Sequence, residues 1–145
     1  MNETIKKFIR GQSCATICCI DETGAAYCFS CFYAIDPDEA LLYFKSPEST
    51  YHSTLIKENP FISGSILPDK LDVSNIKGIQ FTGIVLDARE RTRKQAELKY
   101  DKKYRTRIGV RGDMWIIQIY HIKMTVGTPG FGNRIIWDRD SEVYK

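Results

Sequence analysis

Residues 41 to 66 read LLYFKSPESTYHSTLIKENPFISGSI, and the succession of residue types within them decides the architecture. Ala40 to Lys45 is a short apolar run bounded by turn residues, as a strand requires. Ser46 to Asn59 breaks that pattern: Ser49 or Thr50 can cap a helix, and Leu55 and Ile56 give it an apolar contact. Asn59-Pro60 ends the helix, because a residue before proline avoids helical geometry. Phe61 to Leu67 then returns to β character. The segment Phe44 to His52 therefore joins a strand to a helix. It offers a lysine, hydroxyls and the N–H groups of a helix start, which are the groups a phosphate binds. Capping by Ser49 or Thr50 explains the same hydroxyls without a ligand, and the residues alone leave both readings open.

Upstream, residues 2 to 10 place Ile5, Phe8 and Ile9 at helical spacing, with Gly11 where the helix would stop. Ser13 to Ile20, Ala26 to Ile35 and Ala40 to Lys45 are three short runs separated by Asp21-Glu22-Thr23-Gly24 and Asp36-Pro37-Asp38, a pattern that predicts an antiparallel β-meander. Downstream, Pro68-Asp69-Lys70 opens a polar loop and Gly78 to Leu86 reads as a strand. Asp87 to Tyr104 reads as a helix, rich in helix formers and free of Gly and Pro. Gly109 and Gly112 punctuate a loop. Met114 to Val126 is the longest β segment, and Arg134 to Trp137 makes a short last strand. Six or seven short, mostly antiparallel strands with three helices between them predict a mainly β barrel decorated by helices, one domain over residues 1 to 145.

Composition excludes whole classes. With 43% hydrophobic and 27% charged residues the 145-residue chain is an ordinary globular sequence rather than a disordered one. Its longest apolar run is about six residues, where a membrane helix needs about twenty. The N-terminus is charged and amphipathic and lacks a secretory h-region. Five cysteines, an odd number, fit free thiols in a reducing compartment. The expectation is a cytoplasmic protein that makes no use of a membrane.

Most motifs that suggest chemistry have a plainer explanation. Cys28 and Cys31 have CxxC spacing, but inside a β run residues three apart face opposite sides of the sheet. Core packing is therefore the expected role. His52 and His121 lack a metal-ligand partner at i+4, and no HExxH or GxSxG occurs. Asp36 with Asp38, and Asp138 with Asp140, sit in turns and tails where solvation accounts for them. The glycine-rich stretch 127 to 133 leads into a strand rather than a helix, so it is no dinucleotide fingerprint. Residues 89 to 107 carry nine Lys or Arg against three acids, a local charge of +6 in a chain of net charge +3. That stripe reads as a solvated or interfacial helix ahead of a nucleic-acid site, because no reader motif accompanies it.

The order meander, strand–link–helix–Asn-Pro–strand, GIQFTGIVLD at 78 to 87, long helix and terminal strand resembles the FMN-binding split barrel, the fold of the pyridoxamine 5'-phosphate oxidase-like superfamily. Within it, KGIQFTG at 77 to 83 and GTPGFGNRIIWDRDS at 127 to 141 resemble the uncharacterised, bacterial YhbP-like branch. The resemblance covers nearly the whole chain. It implies a six- to seven-stranded antiparallel split barrel forming a homodimer, with FMN at the subunit interface. The phosphate would sit at Lys45, Ser46, Ser49, Thr50 and His52. The isoalloxazine would lie along the strand edges at Phe29, Ser30, Cys31 and Phe44, and the partner subunit would add Arg134 or Trp137. One departure stands out: where the YhbP-like pattern has Thr-Arg-His, this chain has Thr50-Tyr51-His52, which removes a guanidinium from the phosphate link. The reading is an FMN-binding protein, a flavin-dependent oxidoreductase of unknown substrate. A non-catalytic sensor holding a flavin or another planar ligand is the alternative, and nucleic-acid binding through residues 89 to 107 ranks below both.

Overall fold

The computed structural model describes residues 1–105, 112–128, 130 and 132–140. Eight strands, β1 (Cys14–Ile20), β2 (Ala26–Phe32), β3 (Ala34–Asp36), β4 (Leu41–Ser46), β5 (Phe61–Ile66), β6 (Ile76–Val85), β7 (Asp113–Gly127) and β8 (Asn133–Asp138), form one antiparallel sheet in the order β2-β1-β5-β6-β7-β4-β3, with β8 also paired to β7. Three helices accompany it: α1 (Glu3–Gly11), α2 (Tyr51–Glu58) and α3 (Glu90–Lys103). The sheet curls until Phe29 of β2 lies 5.7 Å from Phe44 of β4, although these strands sit near opposite ends of the order. The result is the expected split barrel, with one strand more than expected.

Alternation within the strands explains the curl. Ala15, Ile17 and Cys19 of β1 and Leu42 and Phe44 of β4 turn inward to a core shared with Ile62, Phe81, Ile119 and Ile122. Asn2 caps α1 by accepting the Thr4 N–H at 2.7 Å, and Ile5 and Ile9 deliver the apolar stripe of that helix into the same core. A second cluster lies on the outside of the sheet, where Ala34, Tyr43, Met114 and Ile116 receive Ala96 and Tyr100 of α3. Those two residues are four apart, one helical turn, which is how a mostly charged helix finds a narrow buried face.

Two expectations are corrected. The run Ala26 to Ile35 is not one strand: Tyr33 interrupts it, and β3 leaves to pair with β4. The first three runs are therefore no meander. β1 pairs with β2 and β5, and β4 finds its other neighbour in β7, Phe44 opposite Trp115. The paired acids, too, do more than face water, since Asp36 pairs with Lys99 and Asp38 with Lys6 at 2.7 Å. In the basic stretch, Arg93 and Lys94 likewise meet Asp87 and Glu90. Gly109 and Arg107 lie outside the described residues, as do Pro129 and Phe131 of the glycine-rich stretch.

β6 and β7 slip register between Thr82 and Gly83, a bulge that bends the longest strand around the core. A Cβ on Gly83 would stand 2.7 Å from the Gln118 carbonyl oxygen and 2.8 Å from Ile117. Backbone cannot yield as a side chain does. Gly83→Ala should lower the unfolding free energy by about 1–3 kcal/mol, read as a lower urea midpoint with an unchanged slope.

Candidate functional site

The curl leaves a split between the edge of β2 and the end of β4, and a pocket of about 190 Å³ occupies it. Phe29, Ser30, Cys31 and Phe32 of β2 form one wall. Lys45 and Ser46 at the end of β4 face them, with His52 from the first turn of α2 and Tyr100 from α3. Strand, link and two helices converge here because Ser46 and Pro47 are held from behind. Gly112, at φ +149°, presses on their backbone so closely that a Cβ would lie 2.6 Å from the Ser46 carbonyl carbon. The Trp115 indole N–H donates to the Ser46 carbonyl at 2.9 Å.

Within the pocket the His52 ring stacks on Phe29, centroids 3.8 Å apart and 8° from parallel, while its Nε2 lies 2.7 Å from Ser46 Oγ. Burial holds the imidazole below its ordinary pKa, so it is neutral at neutral pH. Lys45 supplies the cation. Its Nζ lies 3.3 Å from Asp101 and 5.1 Å from the centroid of the Tyr100 ring. Tyr100 is only 2% exposed, and its hydroxyl is the one buried side-chain polar atom among the described residues with no hydrogen-bond partner. Desolvation pushes this phenol up to about 12, so it stays protonated and able to donate. Cys31 is pushed up to about 12 by the same cause and is an inert thiol wall.

Of the eleven residues expected at the site, Phe29, Ser30, Cys31, Lys45, Ser46 and His52 line the pocket. Phe44 does not: it is fully buried behind it, against Phe29 and Trp115. Thr50 is spent as the α2 N-cap, accepting the Ser53 N–H at 3.3 Å and donating to Ser53 Oγ at 2.7 Å, which favours the plainer of the two readings of that hydroxyl. Ser49 is exposed in the link and is not among the residues that line this pocket. Trp137 is a core residue, 8% exposed, and Arg134 lies on the exposed side of β8. Trp137 pairs with Ile122, seven residues along β7 from the Trp115 that flanks the pocket, or about 23 Å of strand. Inward alternation of β8 explains why this tryptophan is buried within its own chain. Tyr51, at the expected arginine position, turns away to pack edge-on against Tyr27 at 5.0 Å. The CxxC pair divides as expected, but Cys28 faces outward and is exposed rather than packed in the core.

Sequence reasoning missed Tyr100 and Phe32. The local clue to Tyr100 was its spacing of four from Ala96 in an otherwise charged helix; nothing local signals that α3 lies over Lys45. Larger clefts exist, about 800 Å³ beside α1, about 460 Å³ across β1, β5 and β6 and about 450 Å³ beside α2, but these are open grooves, and among the described residues none holds a buried polar group lacking a partner. The smaller pocket has the chemistry.

No family model matches the sequence. A UPF0306 protein of Photorhabdus laumondii is 32% identical over 138 residues, covering 94% of this chain and 95% of its own. The chain belongs to the UPF0306 family. Solved structures similar to this UPF0306 chain share its fold at low identity. They include a heme binding protein from Mycobacterium smegmatis (TM-score 0.72, 11% identity, 92% of this chain and 56% of that one). A FAD-binding protein from Mesorhizobium loti follows at TM-score 0.62 and 15% identity, covering 84% and 92%. A protein described as F420 reductase gives 0.61 and 17%, covering 82% and 94%. Among the described residues no helix is long and apolar enough to cross a membrane.

His52 gives the site a pH signature. Its folded pKa lies below its ordinary value, so the unfolded chain binds the proton first and stability falls as pH drops below about 6.5. Denaturant titrations at pH 6.5 and 5.5 should show wild type losing stability between them, and His52→Gln losing markedly less.

Proposed function

We propose that this UPF0306 chain is a cytoplasmic, homodimeric FMN-binding protein of the YhbP-like branch, a flavin-dependent oxidoreductase whose flavin sits where two copies meet over the β2–β4 split. The observation that carries the reading is the buried Tyr100 hydroxyl, which has no hydrogen-bond partner among the described residues and stands in a pocket with Lys45, Ser46 and His52. An unpaired buried hydroxyl costs about 1–3 kcal/mol unless a ligand accepts from it. The residues present fit the polar tail of a flavin mononucleotide: a cation at Lys45, hydroxyl donors at Ser30, Ser46 and Tyr100, and the Phe29–His52 stack for a planar group to extend. About 190 Å³ is below the roughly 300–1,000 Å³ of a complete small-molecule pocket, which supports a site finished by a second copy.

When bound, the flavin would supply the hydride or electron chemistry. The chain's own residues bind and orient. Lys45 exchanges part of its pairing with Asp101 for the ligand's anionic group. Ser46, held by the Trp115 indole, presents its hydroxyl at a fixed height. His52, neutral at neutral pH, packs against Phe29, and Arg134, exposed on β8, is available to the partner's site.

A second reading follows from Tyr51. With that side chain against Tyr27, no guanidinium among the described residues lines the pocket to neutralise a phosphate dianion, and the pocket suits a less charged planar ligand held without turnover. FMN titration by fluorescence quenching, with size-exclusion chromatography alongside, tests the first reading. Saturable quenching by a dimer is expected. Tyr100→Phe should weaken FMN about fivefold, for one neutral hydrogen bond, and Lys45→Met by about tenfold or more. No quenching, with a hemin titration that instead develops a new visible band, would favour the second.

A further inference from the structure

β1 and β2 bring face to face two thiols that lie ten residues apart in sequence. Cys18 and Cys28 are register partners across this antiparallel pair. Hydrogen bonding alternates along such a pair, and it can be counted in from both ends. At the turn, the Asp21 N–H donates to the Ala25 carbonyl at 2.9 Å; at the far end, the Tyr33 N–H donates to the Ser13 carbonyl at 3.1 Å. Stepping by two from either end places Cys18 and Cys28 at a non-hydrogen-bonded position, where opposite Cα atoms are about 4.5 Å apart. That separation falls at the short end of the roughly 4.4–6.8 Å a disulfide spans.

The environment suits the reaction. Both side chains stand on the outer face, opposite to Ala15, Ile17 and Cys19, and Cys28 is exposed. They border an open groove whose other walls include the small residues Thr16, Ser63, Gly64 and Thr82, so an oxidant reaches them. No other cysteine has a thiol across from it. Cys14 faces Phe32, Cys19 faces Tyr27, and Cys31 faces Ala15.

We propose that Cys18 and Cys28 form a reversible cross-strand disulfide, a redox-modification site on the outer face of the sheet. With hydrogen peroxide as oxidant, one thiol loses its proton, the thiolate attacks a peroxide oxygen, the O–O bond breaks, and a sulfenic acid forms while the departing hydroxide takes up that proton as water. The second thiol attacks that sulfur, the S–S bond forms, and a second water leaves with the remaining proton. A small dithiol reverses the step by exchange, and an exposed bond of this kind belongs to the readily reduced class. The inference is independent of what the pocket binds.

The test treats the native full-length protein with hydrogen peroxide, then counts thiols in denaturant and maps tryptic peptides before and after dithiothreitol. Five free thiols per chain should fall to about three, with a loss of about two mass units, a chain still monomeric on a non-reducing gel, and a Cys18–Cys28 cross-linked peptide. Cys18→Ser and Cys28→Ser, each conservative on an open face, should keep all four of their thiols under the same treatment. Circular dichroism confirms that both fold. Thiol loss persisting in either variant, a bond mapped to another pair or between chains, or sulfinic acid with no cross-link would overturn the proposal.

Discussion

Between β2 and β3 the chain places one residue outside any strand, Tyr33, and almost every element near the split is tied to it. Its N–H donates to the carbonyl of Ser13 just before β1, its hydroxyl donates to the Ile9 carbonyl near the end of α1, and its own carbonyl accepts from Tyr104 beyond α3. The Lys103 ammonium sits 4.3 Å over its ring. The side chain is fully buried, so each polar group had to find a partner within the fold. Because one residue serves a strand, two helices and the step between two strands, the curl of the sheet and the position of α3 are set together. Lys103 shares the burial: desolvation lowers its ammonium to about 8, and it donates to the Gln12 carbonyl as well.

That arrangement fixes the electrostatic character of the pocket. α3 arrives with many cations, but Lys99 turns to Asp36 and Lys103 turns inward, so among the described residues Lys45 is the only cation lining the cavity. His52 is neutral, and the remaining groups are hydroxyls and aromatic faces. A site of this kind rewards shape and planarity more than charge, which bears on how a ligand with a charged tail and a flat head would divide its contacts.

The fold was largely legible because the strands are short, alternate cleanly and are bounded by turn residues, and because Asn59-Pro60 punctuates the one short helix between strands. The break at Tyr33 was not, since Ala26 to Ile35 is uniformly apolar and aromatic and nothing in that run marks where the backbone changes partners. Part of the candidate site could be read from the strand–helix link, where Lys45, Ser46 and His52 are close in sequence. Trp137 misled because a terminal aromatic looks the same whether its strand turns it inward or outward. Tyr100 escaped because its position depends on how a helix far along the chain packs across β4, a tertiary fact without a local sign. The cysteines teach the same lesson: the conspicuous CxxC spacing joins residues on opposite faces, whereas the pair that meets is spread across a hairpin.

β7 lies between β6 and β4, and this has a consequence for how the molecule comes into being. Phe44 waits for Trp115, 71 positions later, and the β6 strand likewise pairs with residues of β7 that follow α3. Until β7 exists, an emerging chain can form the β1–β2 and β3–β4 hairpins and α1, but β4 has a bare edge and the core an open side. Contacts this distant in sequence favour slow closure, because the entropy of bringing remote segments together is lost before burial compensates. Assembly of the barrel is therefore a late event in synthesis, and the half-made sheet, with its unpaired edge, is the species most exposed to association with its own kind.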